Sequence, residues 1–262
     1  MEDRQEKKSL QNGINPFLEG FLVNLDLRDP QRAARLRERI ERERQMTPEE
    51  REAAERTRKE AEKRLVRQST ISMLKRNLGF SDEELGMTFD SYEPKTDIQV
   101  DALQAVKNAA DKWPEEKTSL FLYSPSDKPE WRYGSGKTHL VTAYTLALTE
   151  KFVRVRFWYM PDFIKEIKRS WDGRSDSPME EAIQAEFLVF DDIEKGSWEP
   201  GTPVYDDVLT VINARSKLKL PMAATSNLTL MDLGVLFGGS VEDRLFMCVQ
   251  IPVAGPSGRR SR

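Results

Sequence analysis

Five apolar runs alternate with stretches of helical spacing in the second half of the chain: Ser119 to Tyr123, Phe152 to Tyr159, Phe187 to Asp191, Leu220 to Thr225 and Met247 to Pro252. Alternation of this kind implies crossover connections and a mostly parallel sheet covered by helices on both faces. The expected fold class is α/β, a mostly parallel five-stranded sheet flanked by helices. A length of 262 residues allows one such core plus an appendage.

The appendage is visible as charge. From Gln31 to Gln68 more than half of the residues are Arg, Lys or Glu, and Leu36, Ile40, Met46, Leu65 and Val66 are too sparse for a core stripe. Two exposed helices are expected, broken at Met46 to Glu50, where Thr47 can cap a helix with Pro48 at its first position and Glu50 completing a capping box. Upstream, the apolar patch Asn15 to Val23 either docks onto another surface or packs back onto the main domain. Past Thr70, Ile71, Met73, Leu74 and Leu78 restore helical spacing, Gly79 can end that helix, and Ser81 to Glu84 reads as the cap and first turn of another. The division expected is a charged helical region over 1–80, a globular domain over 81–254 and a disordered basic tail over 255–262.

Composition removes several classes. The charged residues sum to −3, which gives no argument for a nucleic-acid binder driven by bulk charge. One cysteine, Cys248, and one histidine, His139, allow neither a disulfide framework nor a Cys/His zinc cluster within the chain. Cys248 reads as a small apolar residue with no redox role. The N-terminus lacks an apolar signal core and no run of about 18 apolar residues exists, so a soluble, cytoplasmic protein without a membrane partner is expected.

Chemistry concentrates at Gly134-Ser135-Gly136-Lys137-Thr138, between the first strand and the helical run Leu140 to Thr149. Glycines let backbone N–H groups converge on phosphate oxygens, and the helix N-terminus adds positive potential. Lys137 neutralises outer phosphates, and the Thr138 hydroxyl can ligate Mg²⁺. The full pattern needs a further glycine at 131, where this chain has Trp131. The ten residues Ser124 to Tyr133 also exceed the roughly three a tight loop requires. Either the insertion bulges away while the last amides hold phosphate, or nucleotide affinity is weakened; the bulge is favoured because the residues touching phosphate and metal are retained.

A buried strand ending in Asp191-Asp192 delivers two carboxylates where ligands of open α/β sheets sit: Asp191 for the Mg²⁺ shell, Asp192 to polarise an attacking water. Asn227 ends another strand, where it can hydrogen-bond a γ-phosphate or orient the water; alternatively Asn227 or Thr229 caps a short helix towards Leu236. Arg244 can reach a neighbouring subunit's γ-phosphate or form an ion pair with Glu242 or Asp243.

Taken together, Gly134 to Leu140, Phe190 to Ile193, Ile212 to Arg215, Thr225 to Leu228 and Val241 to Leu245 resemble the AAA+ ATPases of the bacterial replicative helicase loader type (DnaC/DnaI-like), with the IstB-type transposition ATPases close by. The resemblance covers about Met87 to Pro252 and includes Thr88 to Tyr92, the segment that opens the ATPase domain near the adenine. It implies a P-loop AAA+ core, with a nucleotide-binding segment at Gly134, Ser135, Gly136, Lys137, Thr138 and His139, the last packing at the helix start. Mg²⁺ is implied at Thr138 and Asp191, and catalytic roles for Asp192, Asn227 as sensor 1 and Arg244 as arginine finger. It further implies ATP as cofactor, with slow, assembly-dependent hydrolysis, no helical lid after the finger and no sensor 2 arginine. The partners implied are a DnaB-type hexameric helicase held by a zinc-free N-terminal region, single-stranded DNA, and further copies of the chain in a nucleotide-dependent assembly. Lys165, Lys168 and Arg169 with Trp171 are either a single-strand surface or a solvated helix face. The loader reading has two alternatives: an IstB-like transposition ATPase, for which a duplex filament favours a more basic body, and a non-hydrolysing helicase adaptor, kept open by Trp131.

Overall fold

The computed structural model describes residues 23, 25, 26, 28–125, 131, 133–173 and 177–257. The chain divides into two units, Met1–Arg67 and Gln68–Arg262. The apolar patch 15–23 lies outside the described residues except for Val23, as do most of the insertion before the glycine loop and residues 258–262 of the basic tail.

In the first unit, helix α1 (Pro30–Gln45) starts where the Asp29 side chain accepts from the Arg32 N–H, with Pro30 at the first position. Helix α2 (Pro48–Asn77) opens on a reciprocal capping box: Thr47 Oγ1 accepts from Glu50 N–H at 3.2 Å, and Glu50 Oε2 accepts from Thr47 N–H at 2.7 Å. No described residue of α2 is buried. Its exposed face is laced by i,i+4 pairs such as Glu52–Arg56 and Glu55–Lys59, each worth a few tenths of a kcal/mol. The two exposed helices are present, yet α2 does not stop near Thr70. Nothing between Arg67 and Asn77 breaks the backbone, so one helix carries both the charged stretch and the apolar spacing that follows. It ends at Leu78 and Gly79, where φ reaches +68°.

The second unit continues with α3 (Asp82–Leu85), capped by the Ser81–Glu84 box, and α4 (Asp97–Asp111). There follow β1 (Leu120–Tyr123), α5 (Lys137–Glu150), β2 (Val155–Tyr159), α6 (Met160–Trp171), α7 (Pro178–Gln184) and β3 (Phe187–Asp191). The rest is α8 (Pro203–Leu218), β4 (Met222–Ser226), α9 (Leu230–Phe237), α10 (Gly239–Phe246) and β5 (Val249–Pro252). Every strand pairing is parallel, in the order β2-β3-β4-β1-β5.

The two-residue period of the strands divides the core. Phe187 and Val189 of β3, with Leu120 and Leu122 of β1, face a layer containing Val106 of α4 and Leu140, Tyr144 and Leu148 of α5. Leu188, Phe190 and Phe121 face the opposite layer, with Phe163 and Ile167 of α6, Val208 and Ile212 of α8, Leu233 of α9 and Leu245 of α10. Burial on both faces explains why the central strands β1, β3 and β4 read as continuous apolar runs.

Three strands start two or three residues later than their apolar runs, for local reasons. Phe152 turns at φ +66° after α5, so β2 begins at Val155. Pro221 has no N–H to give a ladder, so β4 begins at Met222. Met247 caps α10, so β5 begins at Val249. Among the described residues no helix follows β5, and none is long and apolar enough to cross a membrane.

Candidate functional site

The sheet order places β3, β4 and β1 side by side, and α5 starts from the loop that leaves β1. Their ends therefore gather Ser124, Gly134 to Thr138, Asp191, Asp192 and Asn227 at the carboxyl edge of the sheet, where open α/β folds bind ligands.

The glycine loop has the backbone that its sequence requires. Gly134 and Gly136 hold φ of +72° and +98°, and a Cβ on Gly136 would lie 2.5 Å from the Tyr92 ring. The loop is held from behind: the Ser135 carbonyl accepts from Gln99 Nε2 at 2.8 Å and from the Tyr92 hydroxyl at 3.2 Å. Gly136 is the N-cap of α5 and no side chain caps that terminus, which suits an anion.

Lys137 is 4% exposed, and its ammonium donates to Ser124 Oγ at 2.8 Å, Asn227 Oδ1 at 2.9 Å and Ser135 Oγ at 3.3 Å. Burial pulls its pKa down to about 8 against the opposing pull of Asp192, Glu194 and Asp191. Thr138 Oγ1 donates towards Asp191 at 3.1 and 3.2 Å, and Thr225 Oγ1 donates to Asp191 Oδ1 at 2.6 Å. Burial, then the neighbouring charge of Asp192, pushes the Asp191 carboxyl up to about 6 in spite of those bonds. A hydroxyl beside a carboxylate is the hard oxygen donor set that Mg²⁺ takes, and a divalent cation there relieves the repulsion between the two aspartates. The residues present thus fit both a polyphosphate and its metal ion.

Asp192 adopts φ +53°, uncommon for a residue with a side chain and concentrated at functional sites. Its carboxylate pairs with Lys195 Nζ at 2.5 Å and lies 3.4 Å from Asn227 Nδ2. Asn227 is not the helix cap. Thr229 caps α9 with a box closed by Asp232, which leaves the Asn227 amide to the site.

Two predicted residues lie apart from this cluster of contacts. His139 Nε2 sits 2.9 Å from the Thr88 carbonyl and 3.2 Å from Ser91 Oγ, with its ring edge-on to Tyr92, so it anchors segment 88–92. Arg244 is exposed on α10, where its Nε donates to Asn213 Oδ1 at 3.0 Å. Tyr92 and Thr225, which lie in segments already singled out, and Ser124, Glu194, Lys195 and Gln99, which carry no motif of their own, belong to the site or its backing. The only advance signal for Glu194 and Lys195 is their place directly after the paired aspartates.

Comparison with known proteins places this geometry. The family model for IstB-like ATP binding protein matches residues 49–260. The replicative helicase loader DnaI of Bacillus subtilis (strain 168) is 26% identical over 172 residues, 63% of this chain and 51% of that protein. The chain thus spans about half the length of this curated relative. Among solved structures, the crystal structure of DnaI gives a TM-score of 0.57 at 20% identity, covering 68% of this chain and 93% of the other. The crystal structure of the DnaC helicase loader gives 0.55 at 24% identity, covering 66% and 99%. AMPPCP-bound DnaA from Aquifex aeolicus gives 0.53 at 17%, covering 64% and 49%. At these identities the structural likeness is one of fold.

Proposed function

The chain belongs to the IstB-like ATP-binding protein family, and on that footing we propose that it is an ATP-dependent loader of a replicative DNA helicase onto single-stranded DNA. The observation that carries the ATP half is the convergence of Lys137, Thr138, Asp191 and Asn227 on one buried seat. The likeness to helicase loaders supports the other half.

In this reading the first amides of α5 and the Lys137 ammonium hold the outer phosphates, and Thr138 with Asp191 holds Mg²⁺. The metal ion supplies charge neutralisation and a template for the phosphate chain. Asp192 takes a proton from the attacking water, and Asn227 orients that water. Arg244, exposed on α10 and bonded to Asn213 and to none of the seat residues above, acts on the nucleotide of a neighbouring copy, so turnover is slow in the isolated protomer and rises on assembly. The helical region over 1–80 holds the hexameric helicase, and the protein works in the cytoplasm.

Single-stranded DNA is assigned to α6. That helix buries Phe163, Ile164 and Ile167 and turns Lys165, Lys168 and Arg169 outward along an open cavity of about 440 Å³ that Gly196 and Ser197 also line. Trp171, half exposed, is tethered through Nε1 to Asp207 at 3.0 Å, which leaves a ring face for a base.

A second reading, an IstB-like transposition partner acting on duplex DNA, draws on the family match itself. Pull-down of the full chain with a DnaB-type hexamer, with and without ATP, tests the choice against duplex binding in the same buffer. Helicase capture strengthened by ATP, with single strands preferred to duplex, is expected. Duplex coating without helicase capture overturns the loader reading.

A further inference from the structure

The turn after the paired aspartates places one carboxylate against Asn227. Asp192 at φ +53° reverses the chain, and Lys195 N–H closes the turn on the Asp192 carbonyl at 2.8 Å. Glu194, inside that turn, then accepts with Oε1 from both the side chain Nδ2 (2.6 Å) and the backbone N–H (3.1 Å) of Asn227. Its second oxygen, Oε2, is buried with no hydrogen-bond partner among the described residues. Leaving a carboxylate oxygen in that state costs stability, which is the kind of cost carried at working sites.

The consequence for Asn227 is directional. Its Oδ1 faces the Lys137 ammonium and its Nδ2 faces Glu194 and Asp192. The reverse orientation would set Oδ1 against a carboxylate and the amide hydrogens against an ammonium, so the surrounding charges admit one orientation only. An oxygen facing the phosphate seat cannot bond phosphate, because both are acceptors. Once Lys137 turns to phosphate, Oδ1 is left to accept from a water proton, on the same side as the Asp192 carboxylate that Nδ2 touches.

We infer that Glu194 is the positioning residue of the hydrolytic site, locking the Asn227 amide so that it holds the attacking water and makes no bond to the γ-phosphate. The inference rests on the ATP-hydrolysing reading above.

The test is a double-mutant cycle on the full chain, with direct titration of ATP and ADP beside steady-state turnover. Asn227→Ala should lower kcat by about 10²-fold and Glu194→Ala by about tenfold or more, and the double variant should be no slower than Asn227→Ala. Glu194→Gln, isosteric and still able to accept from Asn227, should recover part of the loss and guards against misfolding of the alanine variant. The ratio of ATP to ADP affinity should stay within about twofold of wild type throughout, because no γ-phosphate contact is lost. A kcat for Glu194→Ala equal to wild type, additive losses in the cycle, or selective loss of ATP over ADP affinity would overturn the assignment. Wild-type protein with no turnover above Lys137→Ala removes the proposed function and this role together. Active wild type with an unaffected Glu194→Ala removes only the role.

Discussion

The ammonium of Lys137 lies 2.9 Å from the amide oxygen of Asn227, ninety residues further along the chain, and both groups are buried. The phosphate-binding lysine is thus held within its seat by the residue predicted to sense hydrolysis. With Ser124 and Ser135 among its other partners, it is held by neutral acceptors while waiting for stronger ones. Its lowered pKa marks what waiting costs: burial strains the charge, and phosphate oxygens relieve that strain.

Asp191 illustrates a conflict between stability and function. A buried carboxyl pushed up to about 6 beside a second aspartate destabilises the nucleotide-free fold at neutral pH. Asp191→Asn should therefore stabilise that form by about 1–3 kcal/mol, seen as a higher melting temperature, while losing Mg²⁺-dependent turnover. A lower melting temperature would show that the bonds from Thr138 and Thr225 outweigh the repulsion.

Arg215 holds together elements that the site depends on. Fully buried, it donates to the carbonyls of Ala182, Ile183, Ala185 and Pro221, tying the end of α7 to the segment that enters β4. Burial lowers its pKa to about 10, which leaves it charged at neutral pH. Arg215→Ala strands four carbonyls and should cost about 3–5 kcal/mol in chemical denaturation. A loss below about 1 kcal/mol would mean that water replaces the guanidinium at little cost.

That role shows where reading the chain succeeds and where it stops. Lys137, Thr138, Asp191 and Asn227 were legible because a glycine loop before a helix and polar residues at the ends of parallel strands meet at one edge of the sheet. The centre of the sheet was legible because strands buried on both faces are largely apolar. Arg215 sits in a recognisable Ile-Asn-Ala-Arg segment, yet its four acceptors come from other segments, and no local pattern announces them. Glu194 had only its place after the paired aspartates to mark it, because its partner is thirty-three residues away at the end of the neighbouring strand. The stop at Gly79, φ +68°, was legible, but the continuity of α2 through Thr70 was not, because a change of composition there is no helix breaker.

Cys248 gives a pH test outside the site. Burial pushes its thiol up to about 12 from about 9. A folded pKa raised above the unfolded one contributes stability that is complete below pH 9 and is lost as pH rises through 12. The stability difference between wild type and Cys248→Ala should shrink over that window. Native protein should also react slowly with thiol reagents at pH 8 and the unfolded chain quickly. Fast native labelling would place the thiol at the surface.

The most direct measurement is Mg²⁺-dependent ATP binding by the full chain, wild type against Lys137→Ala, with melting temperatures recorded for both. Saturable binding by wild type, weakened about a hundredfold or more in a Lys137→Ala protein that remains folded, is the predicted result. Equal binding by the two, or none by wild type, would contradict the claim that these residues form a working nucleotide site.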